Sequence, residues 1–363
     1  MRRTLMLTGD VNLMNVTDPA VPFARVRDTL GRADVLFDYL ECCFYEPPAA
    51  HSTEREGFYA PLDSAQALVM GGFHAIGNAN NVNCGEEAIR SSLARLDALG
   101  VRYTGAGLTG QAARAPAIVA HEGLRFGFLQ RTSVYWATGH EATGHSPGVA
   151  VLTGHTAYQP PLQVRLGGGP PANRPGIPPV VHTWADAKSL ADFTGDLRAL
   201  RAAADVVVAS HHWGLSEDVL EYQVEIAHAA VDAGADVVVG HGPHYACAVE
   251  MYRGKPIFYG LGSFSFHTGH GGRAHGDWVG LLARLAFDDA TLVEVAFSLV
   301  RHDEGNATYV CDPTMDKEAV EQITRRCDKL GTALAVSGSE LLVWKKALPR
   351  PAAGQFDSGR RYG

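Results

Sequence analysis

The sequence predicts a layered α/β fold on three observations. Short apolar runs alternate with helix-like segments, and each run ends in a polar cluster. The chain is also 46% hydrophobic against 19% charged, which is enough apolar surface for a full core. Residues 4–7, 33–37, 73–76, 205–209 and 236–239 have the length and turn-residue borders of buried strands. Between them, residues 86–99, 186–204 and 219–233 read as helices. Ligands in such folds bind beyond the carboxyl ends of the strands, where the polar clusters sit.

Two stretches break the alternation. Residues 138–179 are rich in Gly, Pro and His, and a loop of that length inside a domain reads as a lid. After residue 302 the pattern becomes one helix, 316–330, then a short apolar strand and a polar tail. The expected organisation is one domain over 1–302 with an insertion at about 138–179, and a helical appendage over 303–363.

A net charge of −8 argues against a general nucleic-acid or anionic-membrane binder. The six cysteines form no CxxC pair, as expected of reduced thiols. The first residues lack the apolar core of a secretory signal, and no run of about 18 apolar residues suggests a membrane span. A cytoplasmic protein is the expectation. Sixteen histidines are the stronger bias, eight of them between His211 and His275.

The polar clusters supply the candidate chemistry. Asp10 follows Gly9 at the end of the first strand and Glu41 follows the second; singly, each reads as an ordinary turn or surface carboxylate. Cys42 and Cys43 should point to opposite faces and pack as small apolar residues. Asn78, Asn80, Asn81 and Asn83 crowd into six residues. One of them, Asn83, could cap the following helix, whereas carbonyl ligands for a hard cation would account for others. Strand alternation lets only one of His211 and His212 face a common site. His241 and His244, three apart in a Gly/Pro-rigid turn, form the most specific local pattern. His275 and Asp277 precede a later strand and would rim the site. Trp136, Trp184 and Trp213 are candidate aromatic walls, with core packing expected for at least two.

In order along the chain, these blocks resemble the CapA family of poly-γ-glutamate capsule synthesis. Gly9-Asp10-Val11 is similar to its opening GDV, and Leu40-Glu41 to the end of its NLE, with Tyr39 for Asn. Residues 101–107 resemble its G-x-x-Y-x-G-A-G run, and Ser210 to Gly214 its S-x-HWG, which makes His212 the family histidine. GADVVVGHGPH, the Glu250-x-Tyr252 pair and IFYGLGSF complete the likeness. Three motifs depart: NNH reads Asn78-Ala79-Asn80, GHHPH reads GHGPH and LGNF reads LGSF. Asn80 thereby replaces the histidine that protonates a leaving group in related phosphoesterases.

The resemblance implies a calcineurin-like metallophosphatase fold, an α/β/β/α sandwich. The altered motifs and the insertion are most similar to a branch that epimerises the C-terminal tryptophan of lasso-peptide precursors. That branch implies a metal-dependent peptide epimerase with Asp10, His212, His241, His244 and Asp277 in acid–base roles. Asp10, Glu41, Asn78 and Asn80 would hold one divalent hard cation, Ca, Mg or Mn, since carboxylates and carbonyls suit these over zinc. A precursor peptide would be the partner. The alternative is a metal-dependent hydrolase of phosphoesters or poly-γ-glutamate-type amides.

Overall fold

The computed structural model describes residues 1–47, 57–160, 163–165, 169–172, 178–269, 276 and 278–346. Among these, two sheets of ten and six strands lie face to face with helices on their outer sides. The larger sheet is built around Arg2–Asn12. Val35–Leu40 and Ser263–Phe266 lie parallel to it, and Gly280–Asp288 antiparallel. Ala75–Gly77 and Arg102–Thr104 extend the parallel side. The smaller sheet centres on Val206–His212, flanked in parallel by Leu124–Thr132 and Val237–His241.

Period-two alternation sorts each strand between core layers. Leu5, Leu7 and Phe37 from one sheet meet Phe128, Val206, Val208 and Val239 from the other in the central core. The rings of Phe37 and Phe128 stack across it at 4.6 Å. On the outer face of the larger sheet, Met6, Leu36 and Ile76 pack with Leu68, Phe73 and Leu96. On the outer face of the smaller one, Val207, Ala209 and Val238 pack beneath Phe193, Leu197 and Ile226 of the covering helices. The order helix, sheet, sheet, helix is the predicted layered arrangement.

The helices Glu86–Leu99, Ala187–Ala203 and Glu221–Asp232 fall where expected. The strands run further than their apolar cores, so Asp10 and the pair His211-His212 lie within strands. Asn83 does not cap its helix: Gly85 holds that position, and the Asn83 amide donates to the Leu40 and Asn78 carbonyls.

The stretch read as a lid insertion carries strand ladders among its described residues. Gly154–Gln159 pairs with Val180–Ala185, and Glu221 and Glu225 of the next helix accept the Thr183 and Ala185 amides. Beyond residue 303, the strand Glu340–Lys345 adds to the larger sheet, and the helix Lys317–Asp328 buries Ala319, Ile323 and Cys327 in the central core. No described helix is long and apolar enough to cross a membrane.

Phe37→Ala removes one half of the stacked pair that bridges the sheets. It should cost about 3–5 kcal/mol in urea unfolding, whereas Leu215→Ala, on the exposed surface, should stay within about 0.5 kcal/mol.

Candidate functional site

The site forms where the carboxyl ends of the two sheets meet. Asp10 is fully buried, and its backbone N–H donates to the Gly262 carbonyl at 2.8 Å. A Cβ on Gly9 would stand 2.0 Å from that same oxygen, so only glycine lets the strands approach this closely. The parallel register sets Asp10 beside Tyr39, and Glu41 follows at the end of the second strand, its N–H donating to the Val11 carbonyl.

The smaller sheet supplies the histidines. His212 and His241 are register partners on adjacent strands, and both rings lie against Tyr39 at 5.6 and 4.5 Å. His211 turns to the opposite face, against Trp213 and Phe193, as alternation requires. Beyond His241 the chain turns through Gly242 at φ +100°, where a Cβ would meet the His212 ring at 2.4 Å. The Gly242 N–H points at Asp10 Oδ1 at 3.3 Å. His244, itself left-handed at φ +61°, swings back so that its Nδ1 is 2.9 Å from Asp10 Oδ2 and its Nε2 3.8 Å from Glu41 Oε1. His241 Nδ1 completes the set at 3.4 Å from Asp10 Oδ1.

Thr132 determines which His212 nitrogen is free. Its hydroxyl donates to the Val134 carbonyl at 2.7 Å and lies 2.8 Å from His212 Nδ1. With its single hydrogen spent, Thr132 accepts from Nδ1–H, so the lone pair of His212 is on Nε2.

Burial and charge divide the group. Burial works to raise the Asp10 pKa, but His241 and His244 outweigh it and hold the carboxylate well below its usual range. Burial pushes Glu41 up to about 8 despite the opposing His244 charge. Burial would depress His244 too, yet Glu41 and Asp10 together raise it to about 9. Burial dominates at His212, pushed down to about 3, and lowers His241 despite the Asp10 contact. Both are neutral bases.

Asp10, Glu41 and His244 offer ligand atoms that all lie within 4.8 Å of one another, so this buried group could bind a metal ion. The fit is supported by orphaned acceptors: Glu41 Oε2 and Asn78 Oδ1 are buried without a hydrogen-bond partner. Asn80 does not belong with them. Its oxygen accepts from the Val82 and Asn83 amides and its nitrogen donates to the Leu40 carbonyl, so both ends are committed to the turn. Of the expected ligand set, Asp10 and Glu41 are brought together with His244, which that set did not include.

Asp277, with His275, lies outside the described residues. Cys42 and Cys43 are buried in different core clusters, and burial pushes the Cys42 thiol up to about 12, leaving it inert at neutral pH. Only Trp213 of the three tryptophans is core, its indole donating to the Tyr259 carbonyl. Trp136 and Trp184 are substantially exposed, contrary to the expectation that two would be core. Tyr39, Thr132 and the buried His140, whose Nε2 is 3.1 Å from the Asn83 carbonyl, were not singled out from the sequence. Tyr39 had one available signal, its place directly before Leu40-Glu41 in the family motif.

The pKa directions give a signed expectation. His244 and Glu41 are both raised above their unfolded values of 6.5 and 4.5. Their contributions are therefore full below those values and lost as pH rises through about 9 and 8. In EDTA, the Tm should fall between pH 6 and pH 9. Added Ca, Mg or Mn should restore more stability at the higher pH, because the ligands must be deprotonated. At a hundredfold excess over Kd the gain is about 2.7 kcal/mol, and Glu41→Gln should abolish it.

Residues 4–268 match the model of the bacterial capsule synthesis protein family, PGA_cap. An uncharacterized protein of Sinorhizobium fredii, y4sH, is 26% identical over 72% of this chain and 66% of its own length. The PGA biosynthesis protein CapA of Bacillus subtilis is 47% identical over 68 residues, 18% of each chain. A probable polyglutamine synthesis accessory protein of Mycobacterium tuberculosis is 28% identical over 55% of this chain and 47% of its own. The matched parts thus span less than two thirds of each of these relatives. Among solved structures, a phosphatase of Mycoplasma pneumoniae superposes with a TM-score of 0.46 at 9% identity, over 83% of this chain and 94% of that one. On the family match, which covers most of the chain and every described residue of the site, the protein belongs to the bacterial capsule synthesis protein PGA_cap family.

Proposed function

We propose that the chain is a metal-dependent peptide epimerase. It would invert the α-carbon of a C-terminal residue, tryptophan in this reading, of a ribosomal lasso precursor peptide in the cytoplasm. The observation that carries the reading is the His212–His241 pair: two buried histidines, side by side, with different partners. His212 is oriented by Thr132 and offers Nε2 as a base. His241 stands against the Asp10 carboxylate, which favours its protonated form. Exchange at carbon needs one group to take a proton and a second to return one. In this reading the neutral His212 removes the α-proton, His241 delivers one from the protonated form that Asp10 favours, and proton exchange with solvent returns both imidazoles to their starting states, leaving the peptide with no net change in atoms.

A divalent hard cation held by Asp10, Glu41 and His244, with Asn78 adding a neutral oxygen, would supply positive charge as the α-carbon becomes an enolate-like anion. Tyr39, stacked on both imidazoles, restrains their tilt.

Family membership motivates a second reading, a metal-dependent hydrolase of phosphoesters or poly-γ-glutamate-type amides. Against it stands Asn80, at the position of the leaving-group acid in related phosphoesterases. An amide has no proton to give at neutral pH, and this one is tied into its turn. The hydrolase reading predicts p-nitrophenyl phosphate turnover with Mn, abolished by His212→Ala.

Incubation in D₂O with a tryptophan-ended precursor peptide and Ca, Mg or Mn should place deuterium at one α-carbon, and EDTA should stop it. Absence of wash-in at any residue with all three ions would falsify the epimerase reading. Thr132→Val should lower kcat about 10–100-fold with little change in KM, because the His212 tautomer is no longer held.

A further inference from the structure

A groove of about 870 Å³ opens beside His244 and is walled on its far side by the helix Lys317–Asp328. Trp278, Val279, Leu299 and Ile323 give it apolar lining. Among the described residues its charged lining is basic: Arg301, Arg325, Arg326 and Lys329 against Glu217 and Asp218, in a chain whose net charge is −8. The helix lies outside the residues matched by the family model.

The basic side chains differ in how firmly they are held. The Arg326 guanidinium donates to the Ala246 carbonyl at 2.5 Å, two residues past His244, and so ties the helix to the site's own turn. Arg301 is gripped by both oxygens of Asp316. Arg325 and Lys329 are 66% and 70% exposed, with carboxylate partners no nearer than 3.7 Å. Loose surface pairs of this kind are worth little and exchange readily for a ligand's carboxylate.

Spacing indicates the shape of that ligand. Gln322, Arg325, Arg326 and Lys329 recur at three- and four-residue intervals, so they form a line on one helix face. Arg325 and Lys329 are about 6 Å apart along the axis. An extended peptide repeats its side chains on one side about every 6.8 Å. A line of cations at that repeat suits successive carboxylates, whereas a single phosphate calls for donors converging on one point.

We infer that this groove is the docking track for an extended acidic peptide segment, whose carboxylates meet Arg325 and Lys329 while its other end reaches His244. The inference rests on the proposed function only in taking His244 as the edge of the reacting site.

The test is fluorescence anisotropy on the full chain with a fluorescein-labelled octapeptide of glutamate, in EDTA. Binding should weaken at least tenfold when NaCl is raised from 50 to 500 mM. The pair Arg325→Glu with Lys329→Glu, both exposed and tolerated by the fold, should weaken it on the order of tenfold or more. Glu217→Gln with Asp218→Asn should tighten it about two- to fivefold by removing like charge from the groove and releasing Lys329. An unchanged affinity in the charge-reversed protein overturns the inference. So does equal, equally sensitive binding of a labelled thymidine octanucleotide, which would mark a general polyanion surface. Binding that obeys these expectations in a protein without D₂O exchange keeps the groove and sinks the epimerase. Exchange without groove-dependent binding does the reverse.

Discussion

The buried carboxylate of Asp10 is the constraint around which the site is arranged. A lone ionised group so far from water would cost several kcal/mol, and such a charge persists only with partners that repay its desolvation. Here they come from the facing sheet. The first sheet delivers Asp10 through the close contact of Gly9 with Gly262. The second returns His241, the Gly242 amide and His244 in a single four-residue turn. Glu41 shares His244 with it, so one imidazole joins two carboxylates carried by neighbouring strands.

This arrangement is built for interaction more than for stability. Glu41 Oε2 and both polar atoms of Asn78 are buried without partners, and His244 is held in a left-handed conformation that histidine seldom adopts. Orphaned acceptors and strained backbone persist only where the surrounding fold overdetermines them. The two stacked sheets do so, through cores such as the Phe37–Phe128 contact directly beneath. Two of the motif departures, Asn80 and Gly242, fall within the same turns. Asn80 has become a turn brace, and Gly242 leaves room for the His212 ring.

The C-terminal segment changes meaning once it is seen in place. Its helix contributes Ala319, Ile323 and Cys327 to the central core, and the strand after it joins the larger sheet. A helix anchored on one side presents its other side rigidly, and that other side carries the basic residues facing the groove by His244. Rigid presentation is what lets a line of weakly paired cations select a ligand by spacing as well as by charge.

Local periodicity by itself determined the layered α/β class, the extents of the main helices, and the separation of His211 from His212, since each depends only on the repeat of neighbouring residues. The order of the GDV, HWG and GHGPH blocks was likewise enough to assign the family. Tertiary structure alone decided which polar residues meet. Asn78 and Asn80 look equivalent in sequence, yet one has free polar atoms and the other is tied to its own turn. Tyr39 and Thr132 acquire roles only because the strands that carry them end beside His212 and His241. The pairing of Glu340–Lys345 with Thr291–His302 is likewise set by tertiary structure alone. Spacing along a chain encodes which face a side chain occupies. Which residues distant in sequence share a site depends on register between strands and packing between sheets, and no local pattern carries that information.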